Sequence, residues 1–400
     1  MKPKISFKGF KEPWEVSTLS NFFSKVNEKN ARMLYSAVLT NSAEYGIIDQ
    51  RDYFDFDVAN SNNISGYYIV QPDDFVYNPR VSVTAPVGPI NKNELGYTGV
   101  MSPLYLVFKI NRINKDYLCH YFKSNKWHKF MRISGNCGAR FDRLSISDEQ
   151  FVQMPIPYPI NSKEQQTICN YLEKIDKLIS TASSRLASLK QVKEASLQAM
   201  FPQKGETVPK IRFKGFEGEW EEVLLGSLFS ERVENDVTAE MLSVTMHDGI
   251  IKANENGRYD NSNSDRSNYK LVLKDDIAYN TMRMWQGASG CSPYSRGIVS
   301  PAYTVITPNV GVCSVFFAFY FKTNGLINKF RLNSQGLTKD TWNLKYPAFS
   351  SISILYPTNV LEQQRIASYF TSLDKQIALQ TQRLEKLKQI KAACLDKMFV

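Results

Sequence analysis

The 400-residue chain carries one long pattern twice. Pro3-Lys-Ile-Ser-Phe-Lys-Gly-Phe-Lys-Glu-Pro-Trp14-Glu15 returns as Pro209-Lys-Ile-Arg-Phe-Lys-Gly-Phe-Glu-Gly-Glu-Trp220-Glu221, identical at nine of thirteen positions. A second match aligns Glu164-Gln-Gln-Thr-Ile168 with Glu362-Gln-Gln-Arg-Ile366 and runs on to Met200-Phe201 and Met398-Phe399. Between them lie fainter echoes, such as Asp74, Tyr77 and Asn78 against Asp276, Tyr279 and Asn280. Both halves have one order: tryptophan motif, variable body, proline strand, Glu-Gln-Gln helix. This is a tandem duplication of a domain-sized unit. The bodies have diverged while the helices have not, so the bodies do two different jobs of one kind and the helices share one.

The helices are the most regular part. Ser162 with Gln165 reads as a capping box after Pro159, and Asn359 with Glu362 as a similar one after Pro357. A heptad seam follows at Ile168, Leu172, Ile175, Ile179, Ala182, Leu186 and Leu189. Its copy is Ile366, Phe370, Leu373, Ile377, Gln380, Leu384 and Leu387. A helix of ~37 residues is roughly 55 Å long. Two such helices most simply pair with each other, antiparallel, and hold the bodies apart. The alternative is two amphipathic helices each folded on its own domain, against which their length argues. Lys193, Ser196, Gln380 and Lys391 interrupt the seam, which is expected to loosen the distal rod.

Each body reads as short strands broken by Gly, Pro and Asn, with helical patches near Tyr117–Arg132 and Phe316–Leu332, hence mixed α/β. Residues 109–143 hold nine Lys or Arg against only Asp116 and Asp142, and 322–345 hold five against only Asp340. Aromatic residues interleave with both. The patches are suited to phosphates, and the loops after them to base edges: Asn136, Arg140 and Arg143 in one body, Gln335 and Lys339 in the other. A second loop supplies Arg80 and Lys92, then Arg283, Gln286 and Arg296; Arg pairs with guanine and Gln or Asn with adenine. The alternatives are a solvated basic face, core roles for Tyr77 and Tyr279, and arginines that only cap turns.

Other functions fall away by composition and spacing. Aromatic residues form 12% of the chain, which argues against a disordered chain. The net charge of +10 is compatible with a polyanion. No apolar run approaches the ~20 residues of a membrane helix. The N-terminus has no secretory apolar segment, and six scattered cysteines suggest neither disulfides nor zinc, so a cytoplasmic setting is expected. There is no Gly-x-Gly-x-x-Gly, P-loop or Gly-x-Ser-x-Gly, and His120, His128 and His247 are too isolated for a metal cluster. No catalytic constellation is found.

The Phe-Lys-Gly-Phe…Trp motif, the duplicated Pro…Glu-Gln-Gln…Ile…Tyr helices and the two divergent bodies together resemble the specificity (S) subunits of Type I restriction–modification enzymes, over the whole chain. The resemblance implies an α+β chain with two target recognition domains, 1–160 and 203–358. Spacer helices 161–202 and 359–400 would separate them and pair as an antiparallel coiled coil. It further implies a subunit without catalytic residues or cofactor of its own. Each domain would read one half of an asymmetric, interrupted double-stranded DNA target. Two methylation subunits would use S-adenosylmethionine, and two restriction subunits would use ATP and Mg2+. The rivals are a stand-alone bipartite DNA-binding regulator and a repeat scaffold that binds no nucleic acid.

Overall fold

The computed structural model describes every residue except 54–63, 137–141, 247 and 257–264. The chain divides into two units: 1–183 with 382–400, and 184–381. Both boundaries fall inside a 38-residue helix, Ser162–Ala199 or Val360–Lys397. Each unit thus holds one body, the start of the helix that follows it, and the end of the other helix.

The same sheet is built twice. In the first unit the strand order is Phe23–Lys25, Leu106–Ile110, Phe75–Tyr77, Ile90–Lys92, all antiparallel. In the second it is Phe229–Glu231, Tyr303–Pro308, Ile277–Asn280, Ser289–Cys291. A two-stranded ribbon ties each tryptophan motif to the proline strand before the long helix, with Glu15 opposite Tyr158 and Glu221 opposite Tyr356. Smaller hairpins also repeat. Gly99 and Gly297 lie where a Cβ would come within 2.6 Å of Leu39 and 2.3 Å of Leu242, so only glycine lets these strands close on their neighbours.

Each Glu-Gln-Gln helix is anchored by its first glutamine. Gln165 accepts the Asn114 N–H (3.0 Å) and donates to the Pro159 carbonyl (2.8 Å). Gln363 does the same with Cys313 (2.9 Å) and Pro357 (2.8 Å). Both side chains are buried, where an unmet amide is costly, and this explains the repeated letter. The cap of the first helix is Asn161, whose Oδ1 accepts the Lys163 N–H, not Ser162; Asn359 caps the second in the same way. Gln165 and Glu362 therefore do not serve the capping boxes expected of them.

Within each unit the two helical parts run antiparallel. In the first, Asp176 pairs with Lys391 at 2.5 Å; in the second, Asp374 pairs with Lys193 at 2.5 Å, and Ser196 with the Tyr369 hydroxyl at 2.9 Å. The polar interruptions of the seam are thus partnered rather than loose. Ile168, Leu172, Ile175, Ile366, Phe370, Leu373 and Leu384 are buried, and Ile179, Leu186, Leu189, Ile377 and Leu387 half-buried.

The helix ends enter the cores. Phe399 lies 5.5 Å from Tyr117 and 5.8 Å from Tyr121 in the core of the first unit. Phe201 stacks on Tyr320 at 4.7 Å and meets Trp220 at 6.2 Å in the core of the second. Each Met-Phe pair therefore completes the core of the unit whose own helix it does not end. Burying a phenylalanine contributes roughly 2–3 kcal/mol.

Candidate nucleic-acid interface

After the strand Phe75–Tyr77 of the first unit, one loop is fixed from its root. Tyr77 is a core residue that stacks on Phe151 at 5.1 Å. The next residue, Asn78, donates to the Asn41 carbonyl (2.9 Å) and accepts the Arg80 N–H (2.9 Å), which turns the chain so that Arg80 stands exposed. Residues 79–81 then zip onto 142–144, Val81 N–H to Asp142 (2.9 Å) and Leu144 N–H to Pro79 (2.9 Å), with Arg80 opposite Arg143. Asn136 and Ser145 exchange backbone bonds of 2.8 and 2.9 Å. Arg80, Asn136 and Arg143 thus come together from three distant segments. A groove of about 430 Å³, lined by Thr40, Ser42, Asn78, Arg80 and Thr84, opens on one side. Another of about 410 Å³, lined by Lys25, Leu106 and Arg143, opens on the other, with Tyr105 in both.

The second unit builds the same scaffold with other residues. Tyr279 is a core residue, and Asn280 accepts the Met282 N–H (3.0 Å) as Asn78 accepts that of Arg80. Met282, not Arg283, therefore occupies the place of Arg80. Arg283 lies one step on, exposed, its Nη1 donating to Gln286 Oε1 at 3.1 Å across the short helix Met284–Gln286. Leu344 N–H bonds to Thr281 (2.8 Å), the equivalent of Leu144 to Pro79. Gln335 and Asn343 exchange backbone bonds, closing a hairpin that carries Lys339, with Gln335 and Lys339 exposed. Gly336 holds φ +144° with no room for a Cβ beside Thr341. Trp285 and Trp342 meet edge to face at 5.2 Å, locking the hairpin to the Arg283 turn. The sequence reading missed this pair, although Trp285 between Arg283 and Gln286 was its available signal.

Two candidates are placed otherwise. Lys92 has only 9% of its side chain exposed and is bound by Asp116, with Asp73 at 3.5 Å and Glu94 at 3.7 Å. Burial pulls its pKa down, but Asp116 and then Glu94 outweigh that and raise it. Arg296 is exposed but forks onto Asp236 (2.6 Å) and Thr238 (3.0 Å). Much of the basic stretch is likewise spent within the first unit: Lys109 lies 3.8 Å from Asp74, Lys115 3.4 Å from Asp73 and Lys126 3.4 Å from Asp396. Among the described residues none forms an ion pair with Arg80, Arg143, Arg283 or Lys339. Arg140 and His247 lie outside the described residues.

Among the described residues no group of three or more His, Cys, Asp or Glu is placed to hold a metal, and no helix is long and apolar enough to cross a membrane. His120 is buried, and burial followed by the charge of Lys123 lowers its pKa to about 4. Its Nδ1 has no partner.

A doubled body with a loop cluster and paired long helices is a fold shared with S subunits of Type I restriction–modification systems. The chain is similar to the S subunit from M. genitalium at 13% identity and a TM-score of 0.60, covering 100% of this chain and 99% of that one. It is also similar to a chain from a structure addressing complex assembly and conformational transition of the type I R-M system, at 14% identity and a TM-score of 0.51, over 97% and 98% of the two chains. At such identities the likeness speaks for the fold. The family itself is shown by sequence: the Type I restriction modification DNA specificity domain matches at residues 11–191 and again at 219–389, and the chain belongs to that family. Among curated proteins none matches it.

Proposed function

We propose that this chain is the non-catalytic, sequence-reading subunit of a Type I restriction–modification complex in the cytoplasm, each loop cluster reading one half of an interrupted, asymmetric double-stranded DNA target. The observation that carries the reading is a repeated scaffold with unlike tips. Asn78 and Asn280 make the same turn, and Leu144 and Leu344 the same backbone bond. Yet one cluster presents Arg80, Asn136 and Arg143, and the other Arg283, Gln286, Gln335 and Lys339. Unlike polar side chains on like scaffolds are what two different half-sites require, since base edges are told apart by donor and acceptor pattern. Arg140 is proposed with the first cluster from its sequence alone.

The paired helices set the gap between half-sites and dock two methylation subunits, their repeated ion pairs favouring two like partners. Two restriction subunits join for cleavage. S-adenosylmethionine serves the methylation subunits, which flip out the target adenine; ATP and Mg2+ serve the restriction subunits.

The test is genome-wide adenine methylation in a host expressing this chain with its methylation subunits, against one lacking the chain. A two-part motif that vanishes on deletion is expected. Methylation without such a motif, from an assembled complex, sinks the reading and favours a regulator or a scaffold.

A further inference from the structure

In each unit one aliphatic side chain stands wholly in solvent at the tip of the loop cluster. Val83 is 101% exposed, and Leu337 is 102% exposed. Neither sits on a loose strand of chain. Val83 lies on a turn locked by Ser82: its N–H donates to the Ala85 carbonyl (3.0 Å), its Oγ accepts the Ala85 N–H (3.1 Å), and the Ser82 and Thr84 hydroxyls share a bond of 3.2 Å. Leu337 stands directly before a turn locked by Thr341, whose N–H and Oγ1–H both donate to the Thr338 carbonyl (3.0 Å each) and whose Oγ1 accepts the Thr338 N–H (3.1 Å).

A leucine or valine held fully in water by a stiff turn gains nothing in the free protein; its apolar surface is a reserve for a bound partner. Both tips adjoin the polar residues of their clusters. Val83 follows Arg80 by three residues, and Leu337 stands between Gln335 and Lys339 on the hairpin that Trp342 fastens to the Arg283 turn. Val310 is equally exposed, at 106%, but lies in the Asn309–Val312 turn, whose Gly311 carbonyl accepts from Gln363.

We infer that Leu337 and Val83 are specificity-determining residues, each packing on the 5-methyl group of a thymine in the major groove of its own half-site. That group is the one apolar feature by which the groove distinguishes base pairs, and it is read by apolar side chains among hydrogen-bonding neighbours. The inference rests on the DNA-reading function proposed above.

The test uses the chain assembled with its methylation subunits and duplexes carrying the methylated motif, in which each thymine in turn is replaced by deoxyuridine. At one thymine of the half-site read by the second unit, the replacement is expected to weaken binding about fourfold, the worth of one buried methyl. Leu337→Ala should weaken the thymine duplex by the same factor and make the complex indifferent to the replacement. Val83→Ala should do this in the other half-site alone. Selective binding of the motif with no thymine sensitive to its methyl, or an L337A complex as sensitive as the original, overturns the inference and leaves the DNA-reading function standing. Binding of the unaltered complex without sequence preference overturns both.

Discussion

A buried carboxylate at the start of each long helix takes a different donor in the two units. In the first unit the Trp14 indole donates to Glu164 at 3.1 Å. In the second, arginine replaces Ser6 of the first copy, and Arg212 grips the counterpart Glu362 at 2.7 Å from Nε and 2.7 Å from Nη2. The Trp220 indole is then left buried and unpartnered. Removing one member of a buried ion pair ordinarily costs about 3–5 kcal/mol. Arg212→Ala should cost only about half that, because Trp220 can donate as Trp14 does. Trp220→Phe alone should be near neutral, yet costly when combined with Arg212→Ala; a double-mutant cycle by urea unfolding measures the coupling, and additive losses would refute it. His120 gives a pH dependence at the same scale. The unfolded chain takes up this proton near pH 6.5, the folded unit only near 4. Stability is therefore full above 6.5 and falls as the pH drops toward 4, by about 2 kcal/mol between pH 7 and 5. His120→Phe should flatten that fall in urea melts at the two pH values.

At the scale of elements, two side chains decide where the helices belong. Gln363→Ala would strand the half-buried Cys313 N–H and the buried Pro357 carbonyl and should cost about 2–4 kcal/mol; an unchanged denaturation midpoint would show that water replaces the amide without loss. Phe399, the last aromatic of the chain, is 2% exposed in the core of the first unit. Phe399→Ala should cost about 3–5 kcal/mol. Hydrogen exchange should speed up within 1–183, although the substitution is at the other end of the sequence. Equal deprotection of 184–381 would contradict that placement.

For the molecule as a whole, the two loop clusters should fail independently. Arg283→Ala is expected to relax one base pair of one half-site by about 1–3 kcal/mol and leave the other half-site intact, read from the methylated motif. Lys339→Ala should weaken binding to all sequences alike and reduce the slope of log K against log salt by about one. Its effect on a single base pair only would instead make Lys339 a base reader. Lys92→Ala, by contrast, should leave the salt slope unchanged, since three carboxylates already surround that ammonium.

The duplication, the mixed α/β bodies, the heptad seam and the divergence of the loops are all legible in the chain's letters. These are periodic or repeated features, written in neighbouring residues and readable without knowing what else they touch. It took folding to place Phe399 and Phe201 in cores other than those preceding their helices, and Met282 rather than Arg283 where Arg80 stands. Folding likewise gives Lys92 to Asp116 and leans Trp285 on Trp342. All but the Met282 turn are pairings between side chains tens to hundreds of residues apart. A lysine bound by carboxylates and a lysine free for phosphate look identical in a string of letters; burial and neighbours, which only folding supplies, make them different groups.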